Sequence, residues 1–62
     1  METLNKKIVE NTDMTPVGTK VIFISPNGLV EAVVVNVRGP LYVDIKIKEQ
    51  THYNVYAYSL LV

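Results

Sequence analysis

Few side chains in this chain have the chemistry of catalysis. His52 is the single histidine, and there is no cysteine. A serine nucleophile needs a base within hydrogen-bond reach, but His52 follows Thr51 in the polar stretch Glu49-Gln50-Thr51-His52, which reads as a solvated loop. One histidine without cysteines cannot assemble the ligand set of a zinc site. Asp44 and Glu31 are candidates for a carboxylate pair across neighbouring strands. Both are expected on outward faces, where no burial shifts a carboxylate. Gly18, Gly28 and Gly39 are isolated, whereas a phosphate-cradling loop needs its glycines clustered. The expectation is therefore no catalytic residue, no cofactor and no metal.

What remains is surface capable of binding. Tyr42, Tyr53, Tyr56 and Tyr58 supply most of the aromatic content and fall in one third of the chain. Such rings can cage a methylated cation, contact a protein partner, or close the end of a small fold with ring buried and hydroxyl wet. Lys20, Arg38, Lys46 and Lys48 are the cations available to phosphates, with tyrosines stacking on bases. Charge does not favour that use. Six lysines and arginines balance six carboxylates, while proteins that hold nucleic acid through phosphates usually carry a basic excess or a basic face.

Length bounds the elements that must position these residues. At 62 residues, a chain buries only about 60% of its unfolded surface, and small scaffolds usually need a staple. Without disulfide or zinc, oligomerisation or a partner is the remaining device. A hydrophobic content of 48% with 19% charged residues fits a folded domain rather than a disordered one.

From residue 16 to 62 the chain reads as a run of short strands separated by turns. Lys20 to Ser25 is the first, with Val21 and Phe23 on one face and Lys20, Ile22 and Ile24 on the other. Ser25-Pro26-Asn27-Gly28 reverses the chain, because proline suits the second position of a turn and Gly28 tolerates a positive φ. Leu29 to Val37 follows; its Ala32-Val33-Val34-Val35 run is β-branched and disfavours helix. Arg38-Gly39-Pro40 ends it. Leu41 to Lys48 then alternates cleanly, with Val43, Ile45 and Ile47 inward and Tyr42, Asp44, Lys46 and Lys48 outward. Tyr53-Asn54-Val55-Tyr56 makes a fourth strand, Ala57-Tyr58-Ser59-Leu60 a tight 3-10 turn, and Leu61-Val62 the start of a fifth. Residues 1–15 form a polar arm, partly flexible at its start. Within it, Leu4 and Ile8 fit one face of a short helix and Lys7-Ile8-Val9-Glu10 equally fits a brief strand.

The order strand, hairpin, strand, Gly-Pro turn, strand, strand, tight turn, stub resembles an SH3-like barrel of the KOW or Tudor sort. Gly18, Val21, Gly28, Glu31-Ala32, Val34, Val37 and Leu60 carry the resemblance, although KOW motifs usually place a second glycine where this chain has Ala32. The resemblance implies an all-β fold: a small barrel of about five short antiparallel strands over residues 16–62, with a 3-10 turn before the last. The same barrel is used by type II dihydrofolate reductases, whose Val-Gln-Ile-Tyr segment before the final turn lines a pore shared by four subunits. Tyr53-Asn54-Val55-Tyr56 is similar in place, with Asn54 for the glutamine. That family's basic residue on the first strand falls near Phe23, which carries no charge.

If Val21, Phe23, Ala32 and Val34 fill the barrel, then Ile22, Ile24, Val33 and Val35 lie outside it. Four aliphatic side chains on adjacent strands make a patch of the kind that marks an interface. Either the arm covers it, through Leu4, Ile8 and Val9, or a second copy or foreign partner does. The leading expectation is a non-enzymatic protein-interaction module, an adaptor, inhibitor or regulator that self-associates. Its partner contacts are Ile22, Ile24, Val33, Val35, Tyr42, Tyr53, Tyr56 and Tyr58. A nucleic-acid-binding barrel is the alternative, and a reductase-like enzyme a third. No apolar run reaches the roughly 18 residues of a membrane span, and the amino terminus lacks the apolar core of a secretory signal. A cytoplasmic location with no membrane partner is expected.

Overall fold

The computed structural model describes residues 7–62 and is all-β. Its strands are β1 (Lys20–Ser25), β2 (Gly28–Arg38), β3 (Tyr42–Ile47), β4 (Gln50–Tyr56) and β5 (Leu60–Leu61). They form one antiparallel sheet in the order β4-β3-β2-β1-β5. A 3-10 turn, Ala57–Ser59, precedes the last strand. The first four strands make a meander, and the chain end returns to pair with β1. That return brings Leu60 opposite Phe23 and Leu61 opposite Ile22.

The β1–β2 hairpin forms where the turn chemistry demands it. Ser25 pairs with Gly28 across a two-residue loop. The Ser25 hydroxyl donates to the Gly28 carbonyl at 2.7 Å and accepts the Asn27 N–H at 3.2 Å. Gly28 sits at φ +125°, in territory that side chains rarely enter. The β3–β4 turn is tighter than expected. Ile47 pairs with Gln50, so Gln50, Thr51 and His52 belong to β4, not to a loop. Lys48, in the left-handed region at φ 56°, makes the reversal without a glycine or asparagine to announce it.

Alternation places the core. Val34, Val43, Ile45 and Leu60 are fully buried, with Val21 and Ala32 nearly so, and Phe23, Ile47 and Val55 packed against them. His52 lies opposite Ile45 on this face and is half-buried, its ring centroid 6.4 Å from that of Phe23. The solvated histidine expected from the sequence is thus a wall of the core.

The arm resolves toward its strand alternative. Lys7 and Val62 exchange backbone hydrogen bonds at 2.9 and 2.8 Å, and the Val9 N–H donates to the Leu60 carbonyl at 2.9 Å. A short strand-like segment therefore lines the far edge of β5. Val9 is fully buried, whereas Ile8, bridged to Leu61, points away and is half exposed. Farther on, Thr12 ties the arm to the β2–β3 turn, donating its N–H to Pro40 and its hydroxyl to Gly39. The expected flexibility of the first residues, and Leu4 as a cover for the outer face, lie outside the described residues. No helix among them is long and apolar enough to cross a membrane.

Candidate functional site

The face opposite the core carries the candidate site, and its geometry begins with Asp44. Alternation puts Asp44 on the side away from Val43 and Ile45, so it was expected to be wet. It is instead 2% exposed. Both neighbouring ladders are irregular beside it, with register shifts at Val34/Asn36 on β2 and opposite Val43/Ile45 on β4. On β4 the pair Tyr53-Asn54 faces the single residue Asp44, a bulge whose second residue, Asn54, is left-handed at φ 57°. Bulges re-aim backbone groups. Here the freed Asn54 N–H donates to Asp44 Oδ1 at 3.0 Å.

Two side chains from β2 complete the cover. Arg38 Nε donates to both carboxylate oxygens, at 2.8 and 2.9 Å, and Asn36 Nδ2 donates to Oδ2 at 3.3 Å. The Arg38 guanidinium holds the Asp44 carboxyl below the ordinary carboxylate range, against the opposing effect of burial; Asn54 and Asn36 add to the lowering. Asp44 in turn raises the Arg38 pKa further above its already high value. Among the described residues no buried side-chain polar atom lacks a partner. Asp44 and Glu31, candidates for cross-strand neighbours, are not paired: Asp44 faces Asn36, and Glu31 faces Ile22.

Arg38 is fixed by this pairing yet remains 46% exposed, its guanidinium carbon 6.0 Å from the Tyr53 ring centroid. Beside it the register aligns Arg38 with Tyr42 and Tyr42 with Tyr56. Tyr42 and Tyr56 have ring centroids 5.6 Å apart, and Tyr56 and Tyr58 5.0 Å apart, within the range of favourable aromatic pairs. These are not the buried end-closing rings that small barrels often use. Exposures of 41–66% across Tyr42, Tyr53, Tyr56 and Tyr58 leave an aromatic surface in water.

No protein-family model, no curated protein and no solved structure matches this chain.

The other sequence-marked residues sit on the same outward face but are not all brought together. Val33 lies between Lys20 and Lys46, and Ile22 between Leu61 and Glu31. Ile24 is paired with Leu29 at the hairpin end, while Val35 occupies the β2 bulge. The four aliphatics thus share a face without forming one unbroken patch, because lysines and a glutamate interleave. The described part of the arm leaves Val33 and Val35 uncovered, at 36% and 40% exposed. Ile22→Lys combined with Val35→Lys is accordingly expected to keep a folded chain, with a cooperative thermal transition by circular dichroism. Loss of that transition would place these side chains in the core. Among the described residues, no group of three or more histidine, cysteine or acidic side chains is placed to hold a metal.

The sequence missed Asn36 and Asn54. Neither residue type announces a role, and the only local hint was an asparagine within a strand, a residue tolerant of the left-handed conformation. Asn54, which the reductase resemblance places at a pore-lining position, serves Asp44 through its backbone N–H.

Proposed function

We propose that this chain is a small non-enzymatic protein-interaction module that binds a partner, or a second copy of itself, through the outer face of an SH3-like barrel. The observation that carries this reading is the contiguous exposed cluster Tyr42–Tyr56–Tyr58 beside the pre-ordered Arg38. Tyrosine and arginine are over-represented among residues that dominate interface energetics. Each ring offers a large contact area with few rotatable bonds to freeze. The Asp44 contacts hold Arg38 in place before any partner arrives, which lowers the ordering cost of binding. The strand order, with the chain end returning to β1 after a 3-10 turn, supports the barrel resemblance.

The test is capture from native cells with mass measurement, together with sedimentation velocity for self-association. Tyr56→Ala is expected to keep the thermal transition within a few degrees of the parent chain and to weaken the captured complex by roughly 30-fold, the loss typical of a hot-spot residue. Undiminished binding by Tyr42→Ala and Tyr56→Ala together would remove the aromatic face from the interface.

A nucleic-acid reading has one observation in its favour: the alternation of β3 sets Lys46 on the same face as Tyr42. It requires steep salt dependence of binding to single strands. The protein reading requires no shift of an oligonucleotide even at low salt.

A further inference from the structure

A second surface on the outward face lies away from the tyrosines. A groove of about 870 Å³ crosses β3, β2, β1 and β5. Its floor includes Ile22, Val33 and Leu61, and its rim Lys20, Lys46 and Lys48. The register orders these side chains into two rows. One runs Lys20–Val33–Lys46 across β1, β2 and β3; the other runs Leu61–Ile22–Glu31 across β5, β1 and β2, and Ile8 extends its apolar end. The three lysines are exposed and form no ion pair among the described residues. An apolar floor bordered by three exposed lysines and one carboxylate is complementary to a ligand both apolar and acidic.

From this geometry we infer that the groove docks an extended acidic segment of a protein partner, with a carboxylate, an apolar residue two positions on, and a second carboxylate two positions further. The inference rests on the reading of the chain as a protein-interaction module and names the partner's chemistry. In an extended segment those three side chains share one face. Its two carboxylates are about 13 Å apart, while the Cα atoms of Lys20 and Lys46 are separated by two inter-strand spacings, about 10 Å. Flexible lysine stems span the difference, and the apolar residue meets Val33. Single-stranded nucleic acid fits this groove less well. Sequence-tolerant binding of single strands uses aromatic stacking platforms, yet no aromatic residue lines the groove, and Glu31 would face phosphates.

The test is fluorescence anisotropy on the full chain with four labelled probes. These are a short peptide of acid–serine–valine–serine–acid pattern, the same peptide with lysine for each acid, the same with serine for valine, and a short oligothymidine. The acidic–apolar peptide is expected to bind more tightly than the other three. Lys20→Glu with Lys46→Glu is expected to weaken it roughly tenfold or more, since two attractions become repulsions. Tyr56→Ala is expected to leave it within about twofold, because the aromatic face lies elsewhere. Lys20→Gln with Lys46→Gln, read beside a thermal melt, gives a smaller loss and separates a binding effect from misfolding. Equal binding of the valine-free peptide, tighter binding of the oligothymidine, or indifference to both lysine pairs overturns the groove. If Tyr56→Ala abolishes capture of the native partner while the lysine variants do not, the module stands and the groove falls. If neither affects capture, binding through the outer face itself fails.

Discussion

Asp44→Ala is expected to lower the melting temperature by about 10 °C or more. Four donor–acceptor contacts converge on this carboxylate from Arg38, Asn36 and Asn54. Truncation strands the Asn54 N–H, which was turned out of the ladder by the bulge, and releases Arg38 from its fixed position. A donor left partly shielded from water without its partner costs more than the bond contributed, because its desolvation is no longer offset. Asp44→Asn keeps the shape and one acceptor oxygen but loses the charge, so it falls between the parent and alanine.

The pH dependence separates charge from shape. The Asp44 carboxyl is held below its ordinary value, chiefly by Arg38. A depressed carboxyl stabilises the fold above its unfolded value, about 3.9, and that contribution is lost as pH falls through the folded value. Arg38 stays charged throughout. The gap in melting temperature between the parent and Asp44→Asn is therefore expected to be full above about pH 5 and to shrink steadily below pH 4. A gap of constant width down to pH 2 would show that the ion pair is not its source. The same variant bears on function, since loss of the Asp44 anchor frees Arg38 to move relative to Tyr53 and should weaken partner capture beyond any loss of stability.

Asp44 shows what local sequence carries here and what it does not. The boundaries of β1, the Pro26-Asn27 reversal and the inward set Val21, Ala32, Val34, Val43 and Ile45 all follow from period-two patterning and turn chemistry, which act within a few residues. Asp44 obeys the same alternation; its side chain is on the predicted face. Its burial arises from bulges on two other strands, and a bulge is a mismatch between ladders that no single strand's pattern contains. His52 departs from its expected loop for a related reason. The β3–β4 turn passes through Lys48 in a left-handed conformation, a role that lysine rarely fills, so the polar run Glu49-Gln50-Thr51-His52 reads as loop. The tyrosines stand out in the sequence as binding candidates, but their stacking depends on the Tyr42–Tyr56 register across two strands. The candidate site was thus legible as residue types and not as an arrangement.

The arm presents the sharpest case, and Val9→Asp is expected to leave the chain largely unfolded at 25 °C. A 62-residue domain has a total stability of about 3–9 kcal/mol at typical per-residue values. Burying an unpaired carboxylate costs several kcal/mol, and Val9 is fully buried within the apolar core cluster. Val9→Ala, which removes buried methyl groups and leaves a small void, should cost roughly 2 kcal/mol. Ile8→Asp is the control. One residue away but half exposed, it should change stability by no more than about 0.5 kcal/mol. Far-ultraviolet circular dichroism with thermal melts distinguishes the three, and equal melting of Val9→Asp and Ile8→Asp would reduce the arm to a peripheral tail. The contrast bears on how so small a fold stands without disulfide or metal. Val9 and the Lys7–Val62 exchange add a further segment to the sheet beyond β5, so the chain covers its own short last strand. Part of the staple for the fold is then internal, supplied by the arm while the outward tyrosines and lysines remain exposed.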